Sequence, residues 1–126
     1  MGWLWYGRPM AIDFYGYKRC DTCRKAEKFL AEAKVEYRFI DITEQAPTLA
    51  QLKAARAAGY SIGELFNRSG VAYREMNMKE QLKSLSEGEA LKLLAGNGRL
   101  CKRPFAIDGS QVTVGFAADR YKETWT

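Results

Sequence analysis

The chain of 126 residues contains no histidine, and this absence restricts the metal chemistry open to it. A closed zinc site takes four ligands, most often cysteines and histidines. The sequence offers only three cysteines, the pair Cys20 and Cys23 and the distant Cys101. A zinc site would need carboxylates or a second chain in addition, and we therefore expect no bound metal.

Blocks of like charge are also missing, although the net charge is +5. Basic and acidic residues alternate, for example along residues 25–34. Such alternation is typical of a solvated helix face with ion pairs. Without a basic block or an aromatic–basic repeat, we expect no direct binding of nucleic acid.

No apolar run has the length needed to span a membrane, and the aromatic residues near the start do not form a secretory leader pattern. We expect a single monomeric, cytoplasmic domain over residues 10–126, preceded by an extension over residues 1–9. In a reducing compartment a Cys-x-x-Cys pair is more often catalytic or metal-binding than structural.

The most informative segment is Cys20-Asp21-Thr22-Cys23. An apolar, strand-like run over residues 11–15 precedes it, and a helical pattern of apolar residues over 26–33 follows it. A strand that delivers a Cys-x-x-Cys pair to the start of a helix is typical of thiol–disulfide chemistry in thioredoxin-like folds.

The two cysteines are expected to differ in role. At the helix N-terminus the sulfur of Cys20 faces unpaired N–H groups and the positive end of the helix dipole, and Lys18, Arg19 and Arg24 add positive charge. We therefore expect its thiol to ionise more readily than free cysteine. Cys23 lies one turn further on the same face, where it would resolve a mixed disulfide formed by Cys20. The alternative is that both are unreactive buried thiols.

The pattern along the chain predicts an α/β protein. Strands are predicted over residues 10–16, 36–42, 104–108 and 111–114, and helices start at Cys20, Pro47, Ser61, Ser86 and residue 117. This order predicts a thioredoxin-like fold, with a four-stranded mixed sheet and an all-helical insert between the second and third strands.

Arg103-Pro104 forms a second candidate site at the start of the third strand, where proline is tolerated. In thioredoxin-like folds this proline is typically cis and packs against the Cys-x-x-Cys loop. Arg103 would then lie beside Cys20 and bind an anionic substrate, a glutathione carboxylate or the thiolate. The alternative is a surface arginine. For Cys101, both a third redox thiol and a small apolar core residue remain open.

Taken together, the motifs resemble the arsenate reductase/Spx family of thioredoxin-fold proteins from about Ile12 to Trp125. The resemblance rests on four segments: Tyr15 to Ala26, Glu64 to Asn67, Leu100 to Pro104, and Val114 to Phe116. It implies that Cys20 is the nucleophile and that a cis-proline follows Arg103.

The resemblance also implies a set of substrate-binding residues. Arsenate reductases bind the oxyanion with two further arginines, which fall near Asn67 or Arg68 and near Phe116 in this sequence. On this ground we assign substrate binding to Asn67 and Arg68, and we add Arg24, which flanks the cysteine pair, and Pro104, which follows Arg103.

The second cysteine at position 23 matches the Cys-x-x-Cys members rather than the arsenate enzymes, which have serine there. Two functions stay open. The first is a reductase that binds no cofactor, acts on a small thiol or protein disulfide or, as the alternative substrate, on arsenate, and uses glutathione or another thiol as co-substrate. The second is an Spx-like redox switch that binds the C-terminal domain of the RNA polymerase α subunit.

Overall fold

The computed structural model describes residues 11–126, so the extension predicted over residues 1–9 lies outside the described part. Four strands form one mixed sheet in the order β2-β1-β3-β4. The strands are β1 (Ile12–Gly16), β2 (Tyr37–Asp41), β3 (Phe105–Asp108) and β4 (Gln111–Val114). The predicted strands are thus confirmed, each within two residues at either end.

The sheet places the two candidate segments at one edge. Strand β1 pairs in parallel with β2 and antiparallel with β3, and β3 pairs antiparallel with β4. The carboxyl end of β1 therefore lies beside the amino end of β3. The chain leaves β1 toward Cys20 and enters β3 from Arg103, so both segments come to this edge.

Seven α-helices surround the sheet in the described region. They are α1 (Asp21–Glu32), α2 (Leu49–Ala57), α3 (Ile62–Leu65), α4 (Val71–Glu75), α5 (Met78–Gln81), α6 (Glu87–Gly96) and α7 (Ala118–Trp125), with a 3-10 helix at Gly98–Leu100. Helices α2 to α6 form the all-helical insert between β2 and β3, as predicted. The predicted α/β, thioredoxin-like fold is confirmed.

Sequence reasoning did not find α4, α5 or the 3-10 helix. The residues that precede α4 and α5, Gly70 and Asn77, make no side-chain cap, so no capping pattern marks these starts. Both helices are held instead by tertiary burial, of Tyr73 and Met78 respectively. The other three insert helices, α2, α3 and α6, begin with capping boxes, in which the side chain of each of two residues accepts a hydrogen bond from the backbone N–H of the other. The boxes pair Thr48 with Gln51, Ser61 with Glu64, and Ser86 with Glu89.

Two apolar clusters cover the two faces of the sheet, because successive strand residues point to opposite sides. On one face Phe14 packs with Leu30 of α1 and with Tyr121 and Trp125 of α7. On the other face the neighbouring Tyr15 packs with the helical insert. Within residues 11–126 no helix is both long and apolar enough to cross a membrane.

Candidate functional site

Cys20 is the N-cap of α1. Its backbone is extended (φ −92°, ψ 117°), and its Sγ accepts a hydrogen bond from the backbone N–H of Cys23 at 3.3 Å. The first turn closes when the N–H of Arg24 donates to the Cys20 carbonyl at 3.0 Å. The predicted placement of this sulfur at the helix start is therefore confirmed. The side chain is partly exposed.

Cys23 is fully buried, with 0% of its surface exposed. Burial, followed by the interaction with Cys20, raises the pKa of the Cys23 thiol to about 12, while the charge of Arg103 acts in the opposite direction. The Cys23 thiol therefore keeps its proton at neutral pH. One sulfur of the pair is accessible and the other is shielded.

Arg103 lies at the same edge, and its peptide bond to Pro104 is cis. The guanidinium carbon lies 5.2 Å from the centre of the Tyr17 ring, in the loop that leads to Cys20. Arg103 lines a cavity of about 410 Å³ together with Arg99 and Asn67. Within residues 11–126 Arg103 makes no ion pair, and the cavity is lined by two arginines, Arg99 and Arg103, and one acidic residue, Glu75.

The buried Pro104 anchors the start of β3. Its carbonyl accepts a hydrogen bond from the N–H of Gly115 at 2.8 Å, which ties the segment before β3 to the end of β4. Gly115 adopts φ +76°, a left-handed conformation that favours glycine. This contact holds the Arg103–Pro104 turn in place.

The structure separates Asn67 from Arg68. Asn67 shares the cavity of Arg103, and its N–H donates to the Leu100 carbonyl at 2.7 Å. Arg68 lines a different cavity of about 390 Å³. Of the two neighbouring residues, only Asn67 lines the cavity that holds Arg103.

Arg24 is engaged on the outer surface of α1. Its Nη1 lies 3.1 Å from Asp21 Oδ1, and its Nε donates to the Lys18 carbonyl at 2.9 Å. Both the arginine and the aspartate are exposed, and such surface pairs contribute only about 0–1 kcal/mol. The predicted contact of Arg24 with substrate stays a prediction.

Cys101 lies on the other face of the sheet from the cysteine pair. It belongs to the insert-side core, whereas Cys20 and Cys23 pack in the cluster with α1 and α7. Its Sγ lies 3.4 Å from the Leu94 carbonyl, and burial raises the pKa of its thiol to about 12. Its position therefore favours the small core residue over the third redox thiol.

Sequence reasoning missed a second group of polar residues beside the cysteines. A cavity of about 460 Å³ is lined by Thr22, which stands between the two cysteines, and by Tyr60, Lys102, Phe116 and Arg120. One feature of the sequence could have indicated this second group of residues: Lys102 directly precedes Arg103 in an extended segment. Neighbouring side chains there point in opposite directions, and the two residues line different cavities.

No metal centre is formed by the described residues: within 11–126 no three cysteine, aspartate or glutamate side chains gather as ligands would. The chemistry available at this edge is that of an accessible sulfur, a shielded sulfur one turn away, and unpaired guanidinium groups. A nucleophilic thiol with a resolving partner has this asymmetry.

A parallel strand pair joined through a helix that begins at a cysteine, with an antiparallel hairpin completing the sheet, is the thioredoxin-like arrangement, and the protein is of that class. Sequence comparison narrows the class. The family model described as the ArsC family matches residues 15–124, and the chain belongs to this family.

Individual relatives agree with this assignment. The uncharacterized protein YusI of Bacillus subtilis is 48% identical over 117 residues, which cover 92% of this chain and 99% of YusI. A crystal structure of a putative ArsC family related protein from Bacteroides fragilis has a TM-score of 0.86 and 36% identity, covering 93% of this chain and 99% of that one. The global transcriptional regulator Spx 2 of Bacillus anthracis is 25% identical over 106 residues, covering 83% of this chain and 79% of the regulator.

Proposed function

We propose that the protein is a thiol–disulfide oxidoreductase in which Cys20 is the nucleophile and Cys23 the resolving thiol. The observation that carries this proposal is the 3.3 Å hydrogen bond from the Cys23 N–H to Cys20 Sγ at the start of α1. A donor aimed at the sulfur stabilises the thiolate, and so does the positive end of the helix dipole. Partial exposure lets a substrate reach Cys20.

The reaction proceeds in two exchanges. The Cys20 thiolate attacks one sulfur of a substrate disulfide; the substrate S–S bond breaks, one substrate thiolate leaves, and a Cys20–substrate mixed disulfide forms. Cys23 then loses its proton and attacks Cys20 Sγ, which releases the second substrate thiolate and leaves a Cys20–Cys23 disulfide. The substrate gains two electrons and the cysteine pair loses two. Two equivalents of a small thiol, such as glutathione, return the pair to its reduced form.

The raised pKa of Cys23 orders these steps. A thiol that stays protonated at neutral pH does not compete with Cys20 for substrate. Once Cys20 is in a mixed disulfide it no longer carries negative charge, and one of the influences that raise the pKa of Cys23 is removed. Arg103, whose charge lowers the pKa of Cys23, then favours its ionisation.

We propose a disulfide rather than arsenate as the principal substrate. The resemblance places two oxyanion-binding arginines near Asn67 or Arg68 and near Phe116. Arg68 lines a different cavity from Arg103, and this chain has no arginine at position 116. An anionic group that enters the Arg103 cavity meets two arginines, Arg103 and Arg99, together with the carboxylate of Glu75. Arg103 then contributes by holding a substrate carboxylate or the leaving thiolate.

The test uses reduced full-length protein mixed with oxidised glutathione and followed by mass spectrometry. We expect the wild type to form the Cys20–Cys23 disulfide, Cys23→Ser to accumulate a glutathione adduct at Cys20, and Cys20→Ser to form neither. Cys101→Ser is the matched control and is expected to behave like wild type. An adduct at Cys101, or a Cys20→Ser variant that still reacts, would contradict the proposal. Arsenate replaces the disulfide in a parallel assay, where we expect little reduction.

A redox-sensing regulator is the second candidate, and similarity to Spx 2 favours it. The same Cys20–Cys23 chemistry would then switch a binding surface instead of turning over substrate. The distinguishing experiment is a pull-down with the C-terminal domain of the RNA polymerase α subunit, using reduced and oxidised protein. Binding that depends on oxidation supports the regulator, whereas turnover with glutathione and no binding supports the enzyme.

A further inference from the structure

Tyr17 connects the two candidate segments of the site. It directly follows β1 and lies half-buried in the turn that leads to Cys20. Its carbonyl accepts a hydrogen bond from the N–H of Cys20 at 3.1 Å, and the centre of its ring lies 5.2 Å from the guanidinium carbon of Arg103. Tyr17 thus contacts the start of α1 through its backbone and the segment before β3 through its side chain.

The backbone of Tyr17 is fixed on both sides. The carbonyl of the preceding residue, Gly16, accepts a hydrogen bond from the N–H of Ile42, directly after β2, at 2.9 Å. The hydrogen bond from Cys20 to the Tyr17 carbonyl closes a tight turn over residues 17–20. Because the sheet and the turn hold this backbone, they also set where the Tyr17 ring can lie.

The guanidinium of Arg103 is attracted in more than one direction. Glu75 lines the same cavity. Asp41 also lies within reach of the charge: hydrogen bonds from Thr43, and then the charges of two arginines that include Arg103, lower the pKa of Asp41. Arg103 nevertheless forms no ion pair in the described part of the chain, and its charged end lies over the Tyr17 ring. The negative face of an aromatic ring attracts a guanidinium and opposes the pull of the carboxylates.

The place of this charge affects the ionisation of Cys23. Burial, followed by the interaction with Cys20, raises the pKa of the Cys23 thiol to about 12. Hydrogen bonding by the Tyr17 backbone and the charge of Arg103 act in the opposite direction. Cys23 has to lose its proton before it attacks the mixed disulfide, because the thiolate is the nucleophile. A guanidinium held near the pair therefore makes this ionisation easier.

We propose that Tyr17 is a positioning residue, whose ring keeps the Arg103 guanidinium beside the cysteine pair so that the positive charge assists the attack of Cys23 on the mixed disulfide. This inference rests on the proposed function. In the assisted step Cys23 gives its proton to solvent and forms a bond to Cys20 Sγ, while the bond between Cys20 and the substrate sulfur breaks. The electron pair of the broken bond stays with the substrate sulfur, which leaves as a thiolate.

The test measures the lifetime of the Cys20–glutathione adduct after reduced protein is mixed with oxidised glutathione, using acid quenching and mass spectrometry. Tyr17→Leu keeps an apolar side chain but removes the aromatic ring. We expect it to lengthen the adduct lifetime about twofold to fivefold, the factor that corresponds to an exposed cation–π contact of about 0.5–1 kcal/mol. Tyr17→Phe restores the ring without the hydroxyl and is expected to return the lifetime to that of wild type.

A second comparison separates positioning from a general structural role. Arg103→Gln removes the charge and is expected to lengthen the adduct lifetime at least as much as Tyr17→Leu does. In the Arg103→Gln background Tyr17→Leu is expected to have no further effect, because the ring then has no cation to hold. Equal slowing by Tyr17→Leu in both backgrounds, or equal slowing by Tyr17→Phe and Tyr17→Leu, would overturn the proposal.

The contact itself is measured in the wild-type protein, so the proposal does not depend on the folding of Tyr17→Leu. The Cδ protons of Arg103 are expected at an upfield NMR position relative to those of the exposed Arg19, because the ring current of Tyr17 shields groups over its face. The Arg103→Gln spectrum assigns these signals, and Arg103 protons at the position of those of Arg19 would overturn the proposal.

Failure of the proposed function gives a different result from failure of this inference. Absence of any adduct at Cys20 in the wild type would reject the proposed function, and the role of Tyr17 with it. An adduct that forms at Cys20 and resolves equally fast in wild type and Tyr17→Leu would reject the role of Tyr17 alone.

Discussion

At the scale of single residues, the site depends on differences in exposure and pKa among the three cysteine thiols. Cys20 is partly exposed at a helix start, Cys23 is buried one turn further on, and Cys101 is buried across the sheet. Burial raises the pKa of Cys23 and Cys101 to about 12. Because the thiolate is the reactive form, burial makes Cys23 and Cys101 both inaccessible and hard to ionise, and Cys20 is left as the accessible thiol.

This difference predicts selective alkylation. Iodoacetamide at neutral pH is expected to label Cys20 of the reduced native protein well before Cys23 or Cys101, since the other two thiols are both shielded and protonated. Peptide mass spectrometry at increasing times measures each site. Labelling in urea is the control, and there all three cysteines are expected to react at similar rates. Native labelling of Cys101 as fast as Cys20 would contradict this assignment.

Lys102 and Arg103 show that a sequence motif alone does not indicate which way each side chain points. The motif around the proline drew attention to Arg103, whereas Lys102 carried no separate signal. The extended backbone turns adjacent side chains to opposite sides, so Arg103 lines the cavity of Asn67 and Lys102 lines the cavity beside Thr22.

At the scale of elements, α6 ends in a glycine and the 3-10 helix that follows begins with one, and the two have opposite surroundings. A Cβ at Gly98 would lie 1.6 Å from the Ile42 carbonyl oxygen, so the backbone there has no room for a side chain. Gly96 is the last residue of α6, and a Cβ there would meet nothing within 4 Å. Close packing against the end of β2 thus depends on Gly98 alone.

These surroundings predict that alanine substitutions at the two glycines change the free energy of unfolding differently. Gly98→Ala is expected to lower the free energy of unfolding by at least about 2 kcal/mol, because backbone must move to admit the methyl group. Gly96→Ala is expected to be neutral or to stabilise by about 0.5–1 kcal/mol through helix propensity. Urea unfolding of both variants measures the contrast, and equal effects would show that the approach to Ile42 is not limiting.

The elements that sequence predicted correctly are those whose signals are local. Alternating or continuous apolar residues mark β1 and β3, and Ser86 with Glu89 marks the start of α6 by spacing alone. Helices α4 and α5 have no side-chain caps and depend on the burial of Tyr73 and Met78 by distant parts of the chain. Arg120 likewise lines the cavity beside Thr22 and donates a hydrogen bond to Tyr60, which is 60 residues away in the sequence. No local sequence pattern predicts such a contact.

At the scale of the whole molecule, the sheet separates the cysteine pair from the buried Cys101, because they lie on opposite faces. The face covered by α1 and α7 contains the cysteine pair, whereas the face covered by the insert contains Cys101 and most of the large buried side chains. The insert also supplies residues to both cavities at the site: Asn67 to one, and Tyr60 and Arg68 to the other. The family's helical insert therefore shapes the site around a cysteine pair that the smaller face positions.

This arrangement predicts a loss of stability in alkali. The unfolded thiol has a pKa of about 8.5, and burial raises the pKa of Cys101 to about 12 in the folded protein. Above the lower value the unfolded chain releases the proton while the folded chain keeps it. The stabilising contribution is therefore complete below about pH 8.5 and is lost progressively as pH rises toward 12. Cys23 acts in the same direction.

Urea unfolding of the fully reduced protein at about pH 7.5 and about pH 9.5 measures this loss, and tyrosines, which begin to ionise near the upper pH, contribute equally to wild type and to a cysteine variant. Cys101→Ala removes one of the buried thiols, so its stability is expected to fall by about 1 kcal/mol less than that of wild type over this interval. Because the stability of each protein at one pH is compared with its own stability at the other, the destabilisation caused by the substitution itself cancels. Equal losses in the two proteins would contradict this prediction, because they would mean that Cys101, buried beside the Leu94 carbonyl of α6, ionises in the folded state as easily as in the unfolded chain.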